Sequence, residues 1–445
     1  MHVCETFGHF GAGLQATALP PEVMHHAKRA VVDWAGALVS GAVCAPATLM
    51  EQALTDDLDR GDAQLALGRA ATVRAAALIN GTAAHTTEVD DIYREAIYHP
   101  GAPTIAAALA QAQALHCSGD ALLRAVVAGY EVSTRIGRAL GRAHYRYWHN
   151  TGTVGTFGAA AAAASLLGLP PAQFTHALTT CATFAAGLQQ AFRMDSMSKP
   201  LHAGRAAEGG VLAAQLAACG VIGSLNVLEG EFGMGKAMSD NPDWQAVLGD
   251  LGQVYNVEAM TFKNHTCCGH TFAAIDGALH LQHTHGLAWD DIDSVNVATY
   301  GPALEVAGNP APTTAAEARF SLPYVVATAL RHGSVRLAAF TPERLADAGL
   351  RGLMARVRLE VHPELDASFP GQRAAQVRIA MRDGTQWEHL QPTRRGDPDA
   401  PLSDAELGDK FSELVAPVLG VQRTAVLLQR LWALESVDDT HHLMV

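Results

Sequence analysis

The sequence predicts a mainly α protein with a large all-helical domain and a smaller α+β domain. Alanine-rich segments with helical spacing fill roughly the first 250 residues, as expected for packed helices. Segments that alternate apolar and polar residues then appear, as in half-buried strands. A helical pattern returns near the end of the chain. We therefore expect one domain over residues 1–257 with 394–445, and a second over 258–393.

The first domain begins with a helix predicted over residues 20–41, which follows Pro20 and Pro21 and carries apolar residues at helical spacing. Similar alanine-rich segments follow, and glycine or proline bounds most of them. They span residues 68–84, 103–115, 119–140, 153–167, 171–192 and 203–219. Their small residues allow helices to lie close together, and no strand is predicted before about residue 250.

The second domain is indicated by a change of period. Asp293–Tyr300 alternates apolar and polar residues, and Val357–Val361 and Ala375–Met381 do the same. Asp383-Gly384 marks a turn after the last of these. Helices are predicted among the strands at about residues 270–284 and 314–331.

The end of the chain is expected to return to the first domain. Arg394–Pro401 is a link rich in proline and aspartate. Ser403 and Glu406 have the spacing of a capping box, which predicts the start of a helix. The segment 403–436 is predicted to be helical and to pack on the first domain.

Composition and charge exclude some classes of protein. Hydrophobic residues make up 49% of the 445 residues and charged residues 17%, which is typical of a folded globular chain. The net charge of −13 argues against non-specific nucleic-acid binding, although a local positive pocket for an anion stays possible. The seven cysteines are odd in number and mostly isolated, as expected for reduced thiols. We find no secretory signal and no apolar run long enough to span a bilayer, so a cytoplasmic protein is expected.

The first of four polar segments combines four carboxylates and two histidines within fifteen residues. They are His85, Glu88, Asp90, Asp91, Glu95 and His99. Neighbouring carboxylates and imidazoles shift one another's pKa toward neutrality, which suits acid/base catalysis. A solvated loop before a helix capped by Thr104 explains the local sequence equally well.

The second segment, 144–155, places histidines and aromatic residues before a Gly/Thr-rich helix start. A helix N-terminus attracts a carboxylate, and His149 or Tyr145 could exchange a proton beside it. A tight turn between helices, with glycines that only permit close packing, is the simpler local explanation.

The third segment, 193–205, contains three permanent cations, among them Arg193, together with His202 and Asp195. Lys199 and Arg205 could neutralise substrate carboxylates, Lys199 as a point charge and Arg205 through a bidentate fork. An exposed basic loop that pairs with surface acids accounts for the same residues.

The fourth segment, Lys263–His270, precedes a predicted helix and contains two adjacent cysteines. Cys267 and Cys268 cannot both comfortably reach one metal ion, and no second cysteine pair completes a zinc site. A Cys–His catalytic pair is an alternative with little support. Lys263 and His270 at a helix start fit an anion site better, and an ordinary capping loop is the remaining interpretation.

Several families of catalytic and nucleotide-binding motifs are missing from the sequence. We find no dinucleotide-binding glycine pattern, no Walker lysine loop and no nucleophile elbow in strand context. Lys199 or Lys263 could form a pyridoxal Schiff base, but no phosphate cup accompanies them. We therefore expect no cofactor and no metal.

Together these segments resemble the MmgE/PrpD family over nearly the whole chain. The resemblance rests on the order and spacing of short patterns that are weak when taken separately. They are Asn80-Gly81, His85, Asp90-Asp91, His99-Pro100-Gly101-Ala102, His149, Thr151-Gly152, Lys199-Pro200-Leu201-His202-Ala203-Gly204, Leu228-Glu229-Gly230, Phe262-Lys263, His270, Arg319-Phe320-Ser321, Tyr324, Pro401-Leu402-Ser403-Asp404 and Lys410-Phe411.

The resemblance implies a helical domain made from both chain ends, a smaller α+β lid domain, a homodimer and an active site in the cleft between the domains. It implies a small di- or tricarboxylate substrate and reactions such as those of 2-methylcitrate dehydratase, cis-aconitate decarboxylase and iminodisuccinate epimerase. The family often shows Asp-Phe-Asp-Asp where this chain has Glu88-Val89-Asp90-Asp91. Here the first acid is longer and an aromatic ring is lost.

The resulting hypothesis is proton transfer beside a substrate carboxylate. His99 and His149 form the expected acid/base pair, and Lys199 and Lys263 hold carboxylates. Tyr145 is an alternative proton donor, and Asp91 is expected to orient a histidine. The further residues expected to bind substrate are Glu88, His202, Arg205, His270 and Tyr324.

The reaction most favoured at this point is a hydro-lyase acting on a methylcitrate-like hydroxy acid. An epimerase of an amino-dicarboxylate such as iminodisuccinate and a cis-aconitate decarboxylase-like lyase are the alternatives. A helical binding or assembly protein whose polar clusters are interface loops is the non-enzymatic alternative.

Overall fold

The computed structural model describes residues 1–192, 196–369 and 371–444. The prediction of a mainly α protein is confirmed. The chain divides into two compact units, Met1–Thr261 with Ser403–Val445, and Phe262–Leu402.

The first unit is a helical array with two small sheets. Its helices up to residue 261 are α1 Val3–Gly13, α2 Pro21–Ala42, α3 Ala47–Ala53, α4 Val73–Thr86, α5 Gly101–Ala114, α6 Gly119–Tyr145, α7 Asn150–Leu166, α8 Pro171–Cys181, α9 Ser198–Ala218, α10 Met234–Met238 and α11 Trp244–Leu248. Helix α7 packs against α5, α6, α8 and α9, and its alanine run 159–164 is completely buried. Helix α4 packs against α2, α5 and α9. The alanine-rich sequence therefore forms the interior of the array.

The expectation that this unit is all-helical is wrong in detail. Two antiparallel pairs of short strands lie in it, β1 Leu58–Gln64 with β2 Ala70–Ala71 and β3 Ile92–Tyr93 with β4 Met260–Thr261. Strand β1 reads LDRGDAQ and has four consecutive exposed residues, so it lacks the alternation that would reveal it. Strands β3 and β4 have two residues each, too few for any periodicity.

The second unit contains helices and one four-stranded sheet. Its helices are α12 Phe272–His285, α13 Gly301–Ala307, α14 Ala315–Arg319, α15 Leu322–His332, α16 Pro342–Leu345, α17 Ala348–Met354 and α18 Pro363–Ser368. Its strands are β5 Ile292–Thr299, β6 Val357–Val361, β7 Ala375–Met381 and β8 Gln386–Gln391. The sheet order is β6-β5-β7-β8, in which only the β5–β6 pair is parallel.

The three strand predictions in this unit agree closely with the structure, and one helix prediction needs correction. The helix predicted over 314–331 is two helices, because Ser321 caps a new one and Pro323 follows in its first turn. The link after residue 393 belongs to the second unit, where the carbonyl of Gly396 accepts a hydrogen bond from the Phe262 N–H at 2.9 Å.

The last helices return to the first unit. They are α19 Asp404–Leu419 and α20 Val421–Trp432, separated by Gly420 with φ +78°. Ser403 and Glu406 form the predicted capping box. Helix α19 packs on α2. Among the described residues no single helix is long and apolar enough to cross a membrane, and α2 with α3 meet that test only as a bent pair.

Helices α4 and α9 approach most closely where glycine replaces a side chain. A Cβ added to Gly204 of α9 would lie 2.1 Å from both the Leu78 carbonyl oxygen and the Thr82 hydroxyl of α4. A Cβ on Gly81 would lie 3.0 Å from the Cα of Gly204. These two glycines therefore set the separation of the two helices.

We expect Gly204→Ala to destabilise the first unit by about 1–3 kcal/mol, because the added methyl overlaps backbone that cannot move aside. Gly13→Ala is the matched control, since its Cβ would meet only the Thr17 hydroxyl, at 3.9 Å. Calorimetric or chemical unfolding of both variants measures the difference. Equal transitions for the two variants would contradict the proposed contact.

Candidate active site

Four histidines of the first unit lie at helix ends that meet. His85 is in the last turn of α4 and His99 lies just before α5. His149 immediately precedes α7, and His202 is in the first turn of α9. His85 and His149 are almost fully buried. Segments that are distant in sequence thus bring their imidazoles together.

Asp90 links two of these imidazoles. Its Oδ2 lies 2.7 Å from Nδ1 of His85 and 3.3 Å from Nδ1 of His99. The carboxylate accepts a hydrogen bond from His85, so the proton of that ring resides on Nδ1 when the ring is neutral, whereas His99 lies at ion-pair distance. The His85 and His99 ring centroids are 4.8 Å apart. Asp90 therefore fixes the orientation and the tautomer of His85, and its negative charge lies close to the His99 ring.

The cluster continues from His85 to His149 and His202. The His85 and His149 rings stack with centroids 5.5 Å apart. Nδ1 of His149 lies 3.0 Å from Nδ1 of His202, so one nitrogen donates and the other accepts. Because this contact needs one acceptor nitrogen, at most one of the two rings is protonated while it lasts.

Burial and neighbouring charge control protonation in the cluster. Burial, reinforced by the neighbouring histidines and Lys199, holds the pKa of His149 well below its ordinary value. Burial, followed by His85 and Lys199, lowers the pKa of His202 to about 4. For Asp90, burial opposes ionisation, but the imidazoles of His85 and His99 hold its pKa well below the usual range. At neutral pH the site thus contains an ionised carboxylate and at least two neutral imidazoles.

A lysine and an acid lie beside the imidazoles. Lys199, at the start of α9, pairs with Glu88, and both side chains are partly exposed. The ring of Phe192 lies 5.3 Å from the Lys199 ammonium and 4.8 Å from the His149 ring. Phe192 therefore connects the cation to the imidazole cluster.

The loop that carries Glu88 and Asp90 is firmly held. Glu88 has φ +60°, a left-handed conformation that is uncommon for residues with a Cβ. The carbonyl of Val89 accepts a hydrogen bond at 2.7 Å from the ammonium of Lys410, which is buried and also contacts Asp33. The last helices of the chain thus support the backbone between the two acids.

Asp91 does not orient a histidine, contrary to the expectation. Its Oδ1 accepts a hydrogen bond from the Gly101 N–H at 2.9 Å and its Oδ2 one from the Tyr130 hydroxyl at 2.8 Å. Burial, followed by the negative charge of Asp33, raises the pKa of Asp91 to about 8. The orienting role belongs to Asp90, one residue earlier, and Asp91 instead fixes the start of α5.

Two other predicted residues of this unit lie outside the cluster. Tyr145 ends α6, and its side chain makes no hydrogen bond or ring contact with any described residue. Arg205 is exposed on α9 and pairs with Glu208, one turn along the same helix, as surface ion pairs do. Arg193 and Asp195 lie outside the described residues.

Three predicted residues belong to the second unit. Lys263 is buried in the loop before α12. Nδ1 of His270 lies 2.9 Å from the Tyr300 hydroxyl. Tyr324 was expected to bind substrate, but it is fully buried in the core of its unit and donates its hydroxyl proton to the Ala339 carbonyl at 2.6 Å. Its hydroxyl therefore has a structural partner.

The structure adds His85, Asp90 and Phe192 to the residues expected from the sequence. His85 and Asp90 were visible in the first polar segment, but their spacing did not show which acid faces which ring. The donor atoms of His85, Asp90 and His99 all lie within 4.8 Å of one another, a set that could also hold a metal ion. In the present geometry Asp90 accepts a hydrogen bond from His85 and lies beside His99 as a negative charge, which also suits proton transfer.

We expect the stability of the protein to depend on the protonation of Asp91. Its pKa is near 4 in an unfolded chain and about 8 in the folded protein. The folded state therefore keeps a proton that the unfolded chain loses, so this group stabilises the fold less as the pH rises through that interval.

Asp91→Asn imitates the protonated acid. We expect its Tm relative to the wild type to rise steadily from about pH 5 to pH 9. Asp120→Asn, at the exposed start of α6, provides the matched surface control. Differential scanning calorimetry across this range measures the effect, and a Tm difference for Asp91→Asn that does not change with pH would rule it out.

Comparison with known proteins agrees with the resemblance seen in the sequence. Residues 5–247 match the MmgE/PrpD N-terminal domain, and residues 265–434 match the MmgE/PrpD C-terminal domain. Cis-aconitate decarboxylase of Homo sapiens is 28% identical over 375 residues, which cover 82% of this chain and 77% of that protein.

Two fungal relatives match over more of the chain. The cis-aconitate decarboxylase-like protein oryM of Aspergillus oryzae is 26% identical over 460 residues, 97% of this chain and 94% of that protein. A cis-aconitate decarboxylase of Aspergillus terreus is 24% identical over 461 residues, 97% of this chain and 93% of that protein. Because the two family domains together account for most of its length, the chain belongs to the MmgE/PrpD family.

Proposed function

We propose that this protein is a cofactor-independent lyase that decarboxylates a small tricarboxylate of the cis-aconitate type. The observation that carries the proposal is that His85 and His99 lie against Asp90, His149 stacks on His85, and Lys199 lies beside this cluster. This arrangement supplies a positioned proton and a cation for a carboxylate. The names of the three relatives described above support the same reaction class.

The proton donor in this proposal is His99. Asp90 lies 3.3 Å from its Nδ1, so in the imidazolium form the Nε2–H, on the other side of the ring, is the proton available to substrate. The negative charge of Asp90 stabilises that imidazolium in a buried site, where charge interactions are strong. His149 is neutral, and its proposed role is to relay a proton from water that restores the His99 imidazolium after each turnover.

The reaction balances with one proton. A carbon–carboxylate bond of the substrate trianion breaks, CO₂ leaves, and the bonding electrons pass into the carbon framework. His99 delivers one proton to carbon, which gives a five-carbon dicarboxylate dianion. The neutralised imidazole then regains a proton from water. Negative charge that develops on carbon is stabilised when an adjacent carboxylate is bound to a cation.

Lys199 is proposed to bind that carboxylate. Its present partner, Glu88, is a carboxylate on a partly exposed side chain, so a substrate carboxylate can take the same position. Lys263 is proposed as a second cation for substrate, on the resemblance to the family alone. We also propose that the protein functions as a homodimer, on the same basis.

A hydro-lyase that acts on a methylcitrate-like hydroxy acid is the second candidate. Elimination of water needs one base and one acid. The low pKa of His149 makes it a base at neutral pH, while His99 beside Asp90 is the acid. The epimerase and the non-enzymatic binding protein have no comparable support in the geometry of the cluster.

The two lyase reactions are separated by NMR in deuterated water, after dialysis of the protein against a chelator. With cis-aconitate, decarboxylation releases CO₂ and leaves one carbon-bound deuterium in the product. With 2-methylcitrate, dehydration forms an alkene and an ultraviolet absorbance. Deuterium exchange into an amino-dicarboxylate without an alkene would indicate the epimerase instead. No change in any of these substrates would refute both proposed activities.

We expect His99→Gln and His149→Gln each to lower kcat by about 10²–10⁴-fold, the usual contribution of general acid–base catalysis. His116→Gln is the control, because His116 lies on the surface, where it pairs with Asp439. Steady-state kinetics with circular dichroism of each variant provides the measurement. Turnover close to that of the wild type in both site variants would remove these histidines from the mechanism.

A further inference from the structure

A second group of polar side chains surrounds the ring of Phe369 in the second unit. The Tyr300 ring stacks on Phe369 with centroids 4.6 Å apart, and the His270 ring lies 6.2 Å away. The guanidinium carbon of Arg373 lies 5.9 Å from the same ring centroid. His270 and Tyr300 contact each other through Nδ1 and the hydroxyl at 2.9 Å. Three hydrogen-bonding groups thus share one aromatic neighbour.

The charge of Arg373 is not matched by a carboxylate within the described residues. No acid among them lies within ion-pair distance of its guanidinium. Asp397, which contributes to its electrostatics, already accepts two hydrogen bonds from the Arg394 fork, at 2.8 and 2.9 Å. Arg394 and Asp397 are both buried and balance each other. The charge of Arg373 is therefore not balanced by a described carboxylate.

Burial makes that remaining charge costly. Burial, reinforced by the charge of Arg394, lowers the pKa of the Arg373 guanidinium. Burial, followed by Arg373 and Arg394, lowers the pKa of His270 to about 4, so His270 is neutral and does not add to the charge. A partly buried cation is normally retained where it gains an anionic partner. The face of Phe369 supplies only a weak substitute, and no described protein group accepts a hydrogen bond from the guanidinium, whose N–H groups can therefore bind a ligand.

The neighbouring groups suit a planar anion. The guanidinium fork matches the two oxygens of a carboxylate. When Tyr300 donates to Nδ1 of His270, the Nε2–H of that ring is a further donor. Helix α12 begins two residues after His270, and its positive end adds to the attraction. All three features favour a negatively charged ligand: the Arg373 cation, the neutral His270 donor and the N-terminus of α12.

We propose that the second unit contains a carboxylate-binding site formed by Arg373, His270 and Tyr300. Arg373 binds the carboxylate through its fork, and His270, oriented by Tyr300, donates to one of its oxygens. Arg394 is held by Asp397 and does not contact the ligand. The site is described entirely by residues of one unit and does not depend on the proposed decarboxylation.

The proposal is tested by chemical protection of Arg373 in the full-length protein. The small arginine reagent 2,3-butanedione is applied with and without tricarballylate, a saturated tricarboxylate that has no alkene, and modification is measured by peptide mass spectrometry. We expect tricarballylate to slow the modification of Arg373 severalfold. Arg358, exposed in the same unit, should react at an unchanged rate and serves as the internal reference.

The proposal is overturned if tricarballylate leaves the rate at Arg373 unchanged, or if Arg373 does not react in the unliganded protein. It is also overturned if inorganic phosphate protects Arg373 and tricarballylate does not. These measurements need no turnover, so a failure of the proposed decarboxylation would leave their result intact.

Calorimetric binding of tricarballylate gives a second, independent result. We expect Arg373→Met to weaken the affinity by about tenfold or more, which corresponds to about 1.4 kcal/mol. Arg373→Lys, which keeps the charge without the fork, should lose less, and Arg358→Met is the matched control. Wild-type affinity in a folded Arg373→Met protein would refute the assignment.

Discussion

The contact between α4 and α9 at Gly81 and Gly204 is the constraint on which the proposed catalytic cluster depends. Helix α4 carries His85 and helix α9 carries Lys199 and His202, so the separation of the two helices determines whether these groups can meet. Side chains of ordinary size would force the helices apart by more than a hydrogen bond tolerates. Gly81 and Gly204 both belong to the family patterns of this chain, and both are explained by the close approach of the two helix backbones.

Close to that contact, the first unit buries several ionisable side chains next to one another. Seven ionisable groups lie close together: Asp90, Glu88, Lys199 and the four histidines. His149 and His202 remain neutral because burial and their neighbours disfavour a proton. A site arranged in this way holds a single mobile proton in a defined place, which is what proton transfer to or from carbon requires.

The sequence predicted most of the fold because the decisive signals were local. The strand alternation from residue 293 to 381, the capping box at Ser403 and the alanine-rich helices depend on neighbours within one element. The short strands around residues 58–71 cannot be predicted from the sequence, because an exposed polar hairpin has no periodicity. The predicted helix over 314–331 is interrupted at Ser321, which caps a new helix. The apolar pattern continues through this position and gives no sign of the interruption.

The site was predicted less completely, since its geometry depends on residues far apart in the chain. His99, His149 and Lys199 were recognised through their residue types and the family pattern. The sequence does not show which of Asp90 and Asp91 faces the histidines, because nothing in it reveals the left-handed backbone at Glu88 that redirects the chain just before them. Tyr324 and Arg205 have the right chemistry, but packing assigns one to the core and the other to the surface.

In the proposed mechanism, the ion pair between Glu88 and Lys199 has a consequence for selectivity. In the protein without substrate, Lys199 is already paired with Glu88. An incoming anion must therefore displace a carboxylate of the protein from Lys199, and not only water. A ligand with a single negative charge gains little by this exchange. A ligand that brings further carboxylates for other donors gains with each of them, and the pair thereby acts as a threshold that favours polyanions.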